Sequence, residues 1–160
     1  MNAIPTTLPP IGLMSELDDA VRHTLASAGK FEEKAAGATL AVQGQPHQAL
    51  SVILSGKASV TSRMGGSVIT LATLETGDTV GEMNIIDPHK ASADVVMAVP
   101  GLVWTISEQD FQGIVANDPH SAFSVLHWLS RQLCRRIRRN TDRMLRQAED
   151  TRVHYRDMDY

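Results

Sequence analysis

The sequence predicts a mainly β domain, a small sandwich or barrel, with one helix before it and a long helix after it. Three observations carry this. Gly-centred turn signals recur at intervals of roughly 8 to 12 residues between Phe31 and Ile106, the spacing of sandwiches and barrels and not of βαβ units. Between them lie short runs rich in Val, Ile, Leu and Thr. After Pro119 there is no Pro or Gly as far as Ala148, and the apolar residues fall at helical spacing.

The elements follow in order. Residues 1–14, with three Pro and no periodicity, read as a mobile arm. Ser15, with Glu16, Asp18 and Asp19 in the first turn, predicts a helix over 15–28, since acids suit the positive end of the helix dipole. Leu17, Val21 and Leu25 give it one apolar face, and Gly29 ends it. Leu50, Val52 and Leu54 alternate before Ser55-Gly56, and Met64-Gly65-Gly66-Ser67 reads as a hairpin turn. Ile69, Leu71 and Leu74 follow, Gly77-Asp78 turns again, and Val95–Val99 and Leu102-Trp104-Ile106 close the series. A short helix is expected over 107–116 and a long one over 119–148, with Asp118 as its cap and Pro119 in its first turn. Residues 149–160 read as a polar tail.

Hydrophobic residues make up 42% of the 160 and charged residues 21%, which suits one globular domain with a real core and excludes wholesale disorder. No apolar run approaches the roughly 18 residues of a membrane span, and the start of the chain lacks the basic and apolar regions of a secretory signal. A lone Cys134, read as a packing residue, excludes an internal disulfide framework and fits a reducing, cytoplasmic compartment. Residues 1–130 carry a net charge of about −7 and residues 131–160 about +4, counting Lys and Arg against Asp and Glu. An acidic body argues against nucleic-acid binding by the whole domain. Arg135, Arg136, Arg138 and Arg139 read as a solvated helix face.

The segment that carries chemistry is Thr76-Gly-Asp-Thr-Val-Gly-Glu-Met-Asn-Ile-Ile-Asp-Pro88, followed by Lys90-Ala-Ser-Ala-Asp-Val95. It reads as a turn, a short helical turn opened by Gly81-Glu82, and a return strand. Backbone N–H groups at such a start can meet an anion, and Gly81 admits close approach. A carboxylate beside them makes sense if the ligand also presents a hydroxyl, as a phosphate on a ribose does.

Over roughly residues 15–148 the chain resembles cyclic-nucleotide-binding domains of the catabolite activator protein type. Leu54-Ser-Gly-Lys-Ala-Ser-Val60 is similar to that family's strand-turn-strand signature, and Leu74-Glu-Thr-Gly-Asp-Thr-Val-Gly-Glu82 to the run entering its phosphate-binding cassette. Leu129–Ile137 resembles the helix through which dimeric members pair. The resemblance implies a jelly-roll-like β-roll, a double-stranded β-helix, with an N-terminal and a long C-terminal helix. It implies a ligand site of Gly81, Glu82, Met83, Lys90, Ser92 and Ala93, with Arg136, Asn140 and Thr141 reaching it from the long helix. Glu82 would accept from the ribose hydroxyl and Ser92 would contact the phosphate.

There is a departure. The family places an Arg immediately before the Ser92 position; here Ala91 stands there, with Lys90 one residue earlier. Adjacent strand residues face opposite ways, so Lys90 is no simple replacement. The implied function is a non-enzymatic, signal-sensing module for cyclic AMP or another cyclic nucleotide, with weakened or altered affinity, dimerising along Leu126, Leu129, Leu133, Ile137 and Met144. The alternative is a degenerate domain that binds no nucleotide and acts as a dimeric protein-interaction scaffold. A cupin-type enzyme is a third reading, disfavoured because His47 and His89 have no His-x-His partner and no catalytic set can be assembled. The long helix has no helix-turn-helix module after it within this sequence, so a regulatory protein partner fits better than DNA. Trp128 lies off the apolar stripe, covering either the β-body or a partner.

Overall fold

A computed structural model describes residues 5–156, with the side chains of all but Leu13 and residues 150–156. Helix α1 spans Asp19–Ala28. It starts later than Ser15 because Gly12–Glu16 form a 3-10 turn in which Ser15 Oγ donates to the Gly12 carbonyl. Leu17 is then extended, and Asp18 takes the cap, its carboxylate accepting from Val21 N at 2.8 Å. The arm is not free over its second half. Leu8 and Met14 are fully buried, so an apolar pair among the prolines outweighs the turn composition.

Eight strands follow: β1 Lys30–Lys34, β2 Thr39–Ala41, β3 Ala49–Ile53, β4 Lys57–Met64, β5 Ser67–Leu74, β6 Thr79–Val80, β7 Asp94–Val99 and β8 Gly101–Ser107. Between β6 and β7 lies the short helix α2, Glu82–Ile86. The strands form two antiparallel sheets, ordered β1-β8-β3-β6 and β2-β7-β4-β5, which is the expected β-roll. The β4–β5 hairpin closes Met64 on Ser67 through Gly65 and Gly66, both at positive φ (59° and 83°), as a two-residue turn of the primed type requires.

The two-residue period of β3 and β8 splits the interior. Leu50, Val52, Trp104 and Ile106 face the helices, whereas Ile53 and Val103 face the opposite sheet. The helix-side core adds Val21 and Leu25 of α1, and Phe111 and Ile114 of α3 (Glu108–Asn117). The inter-sheet core is made of smaller residues, Ala41, Ala58, Leu74, Val80, Ala91, Val95 and Met97 among them. Its small side chains leave the roll open at one end, which sets the place of the site.

Helix α4 runs Pro119–Arg156, 38 residues or about 57 Å, beyond the expected end at 148; residues 157–160 lie outside the described part. Ser121 is tied to the Asp118 side chain at its start. Ala122, Val125, Trp128 and Leu129 are buried against the body, so Trp128 covers the chain's own core. From Leu133 onward no apolar side chain of the helix is buried among the described residues. Leu129 is therefore withdrawn from the expected dimer stripe, while Leu126, Ile137 and Met144 remain exposed. Cys134 is exposed and not a packing residue within this chain.

Trp128→Ala should cost about 3–5 kcal/mol in chemical denaturation, the range for truncating a buried aromatic. Ile137→Ala should cost under about 0.5 kcal/mol in the monomer, as exposed positions do. Equal costs would contradict the division of α4 into a buried root and an exposed shaft.

Candidate functional site

The roll opens between β6–α2 and the start of β7. Gly81 opens α2 with φ +84°. A Cβ at Gly81 would lie 2.1 Å from the Ala49 carbonyl oxygen and 2.5 Å from His47 Nε2, so any side chain is barred by contact as well as conformation. This close approach turns Glu82 inward. Glu82 is 1% exposed and its carboxylate faces a hollow of about 90 Å³. The hollow is walled by the inter-sheet residues Ala41, Leu74, Val80 and Val95 and by Gly81, Met83, Ala91, Ser92 and Ala93.

Glu82 does not stand free. Thr79 Oγ1 donates to Oε2 at 3.2 Å, and Arg136 Nη1 of α4 pairs with Oε1. The second Arg136 amino group donates to the Thr79 carbonyl at 3.0 Å. One guanidinium thereby bridges α4 to the strand end and the helix start that build the hollow. Removing one member of such a buried pair costs about 3–5 kcal/mol where both are desolvated, and less here because Arg136 is 34% exposed. Asn84 secures the loop after α2, its side-chain amide donating to the His89 carbonyl.

Of the sequence-derived site residues, Gly81, Glu82, Met83, Ser92, Ala93 and Arg136 line this hollow together. Lys90, Asn140 and Thr141 do not. Lys90 is exposed, its backbone paired with Pro46, while Ala91 beside it is buried and lines the hollow. Asn140 and Thr141 are exposed on the free shaft of α4, where Thr141 Oγ1 donates back to the Ile137 carbonyl. The Arg-rich face is partly spent inside the chain: Arg131 and Arg135 pair with Glu16, and Arg136 with Glu82.

Two residues at the site escape sequence reasoning. Thr79, the second donor to Glu82, carried only a generic turn signal. His47, which lines the hollow, was weighed only as a metal ligand. Burial holds the His47 imidazole below its usual pKa, while the adjoining Ala49 backbone and the Glu82 charge act in the opposite sense. Among the described residues no cluster of three or more His, Cys, Asp or Glu is placed to hold a metal ion, and no helix is long and apolar enough to cross a membrane.

The family model for the cyclic nucleotide-binding domain matches residues 31–118, from β1 through α3. The cyclic AMP receptor protein of Thermus thermophilus is 31% identical over 103 residues, which cover 64% of this chain and 46% of that protein. The chain spans less than half the length of the curated relatives it matches. A crystal structure of a cyclic nucleotide-binding domain from Methylobacillus flagellatus aligns with a TM-score of 0.77 at 26% identity, covering 82% of this chain and 74% of that one. The regulatory subunit of a cAMP-independent protein kinase A from Trypanosoma brucei, as a variant bound to cAMP, aligns with a TM-score of 0.62 at 25% identity, covering 74% and 42%. With more than half of its length matched and the cassette's Gly-Glu pair at the mouth of the roll, the chain belongs to the cyclic nucleotide-binding domain family.

Proposed function

We propose that this chain is a non-catalytic, cytoplasmic sensing module that takes a cyclic nucleotide such as cyclic AMP, with affinity lowered by Ala91. The observation that carries the reading is the inward carboxylate of Glu82, in the open end of the roll that Ser92 also lines. A buried carboxylate is an acceptor for a sugar hydroxyl, and the small residues Ala91, Ser92 and Ala93 leave the opposite wall clear for a phosphate. Ligand pockets run from about 300 Å³ upward, so the hollow of about 90 Å³ has to widen. The group in the way is Arg136. A ligand hydroxyl competing for Glu82 loosens the Arg136 bridge between hollow and α4, and binding then biases how α4 sits.

A second reading keeps a specific observation in its favour. The hollow is small, and its acceptor is already satisfied by the chain's own Arg136, as in a domain that binds no nucleotide and serves as a scaffold. Both readings use the same dimer. Along α4, Leu126, Leu133, Ile137, Asn140 and Met144 follow one another at steps of seven, four, three and four, the spacing of a two-stranded seam with one polar layer. A regulatory protein partner would be reached through this helix.

Calorimetry with cyclic AMP and cyclic GMP separates the readings. Ala91→Arg should tighten binding by at least about tenfold, because a charged partner for a partly buried phosphate is worth about 2–5 kcal/mol. The Trypanosoma variant bound to cAMP carries three substitutions, one of which introduces an Arg. No heat from either protein at millimolar nucleotide would leave the scaffold. Light scattering should show a dimer, and Ile137→Asp combined with Met144→Asp should yield a folded monomer; a wild-type monomer at high micromolar concentration would contradict the seam.

A further inference from the structure

The hollow holds an unpaired polar atom that the reading above leaves idle. Four buried side-chain nitrogens among the described residues lack a hydrogen-bond partner, and the one of these on the hollow is His47 Nε2. Its position is set from two sides. The ring lies over Gly81, close enough that no Cβ fits between them. The segment just before it is stitched to the position that lacks the Arg: Ala91 N donates to the Gln45 carbonyl at 2.9 Å, Gly44 N donates to the Ala91 carbonyl at 2.8 Å, and Pro46 bridges Lys90. His47 thus stands between Gly81 and Ala91, the two ends of the cassette.

We propose that His47 is the residue that meets the phosphate of a nucleotide seated in this hollow, its Nε2 donating to a phosphate oxygen. This rests on the nucleotide-binding reading. The other charged side chains lining the hollow are Glu82 on α2 and Arg136 on α4, and they are paired with each other. On the returning loop His89 and Lys90 are exposed, and Asp94 on β7 is taken up by Gln43 N and Arg63. No other cationic side chain lines the hollow among the described residues.

The consequence is a proton-linked affinity. In the free domain burial keeps the ring largely neutral near pH 7. A phosphate anion against Nε2 favours the imidazolium, so binding takes up a proton and tightens as pH falls, by up to about tenfold per pH unit for one proton. The sign is opposite to that of the domain's own stability, which His47 lowers on acidification because the unfolded ring binds the proton more readily.

The test is calorimetry with cyclic AMP and cyclic GMP at pH 6 and pH 8, on wild type, His47→Gln, and His47→Gln with Ala91→Arg. Wild type should bind about tenfold or more tightly at pH 6. His47→Gln should lose that gain and its pH dependence, and the added Arg should restore affinity without restoring the dependence. Wild-type binding that His47→Gln leaves unchanged in strength and slope overturns the role of His47 while the nucleotide reading stands. Absence of binding by every protein, the Arg variant included, overturns both. Should His47→Gln unfold, wild-type titrations in two buffers of different ionisation enthalpy decide: proton uptake near one supports the proposal, and zero overturns it.

Discussion

A carboxylate that is 1% exposed must be paired, and the partner of Glu82 sets the character of this molecule. Gly81 supplies the left-handed turn that sends Glu82 inward, and the sheet edge gives it Thr79. The remaining demand is met from 54 residues away in the chain, by Arg136 on α4. The hollow and the long helix are therefore not independent elements. A ligand that makes use of Glu82 would compete with Arg136 for it, and a partner that moves α4 would alter what Glu82 can accept.

Helix α4 is suited to that role by its two halves. Its root, through Leu129, belongs to the core, with Trp128 buried in the same cluster as residues of α1, α3 and β8. Its shaft carries exposed apolar residues along one side and Arg residues around the rest. Arg136 falls seven residues past Leu129, two turns beyond the docked root. A change at Arg136 therefore falls on the exposed part of the helix and not on its packed root.

Much of the fold was legible because its signals are local. The Gly65-Gly66 turn, the Asp118 cap before Pro119 and the alternation of Leu50 with Val52 each depend on a few adjacent residues. Three failures share a different cause. Ser15 was the expected helix start, and Leu17's extended backbone passes the cap to Asp18. Leu8 and Met14 sit among prolines, and their burial comes from contact with helices far along the chain. Trp128 lies off the stripe of the isolated helix yet on the face that packs into the helix-side core. At the site, Gly81-Glu82 and Ser92 were readable as a motif, and Arg136 through resemblance. Lys90 carried the charge that the site lacks, yet it is exposed and its neighbour Ala91 is the buried residue. His47 was unreadable as a site residue, since its loop reaches the hollow only through backbone pairing with Gly44–Pro46 and 90–91.

The central claim is that occupation of the hollow is felt by α4 through Glu82 and Arg136. Hydrogen–deuterium exchange with and without saturating cyclic AMP tests it directly. The account predicts altered protection in two separate stretches, residues 79–86 around the carboxylate and residues 132–140 on the helix, and loss of the second change in Arg136→Met. A ligand-induced change confined to residues 79–86, with the helix unaffected, would contradict it.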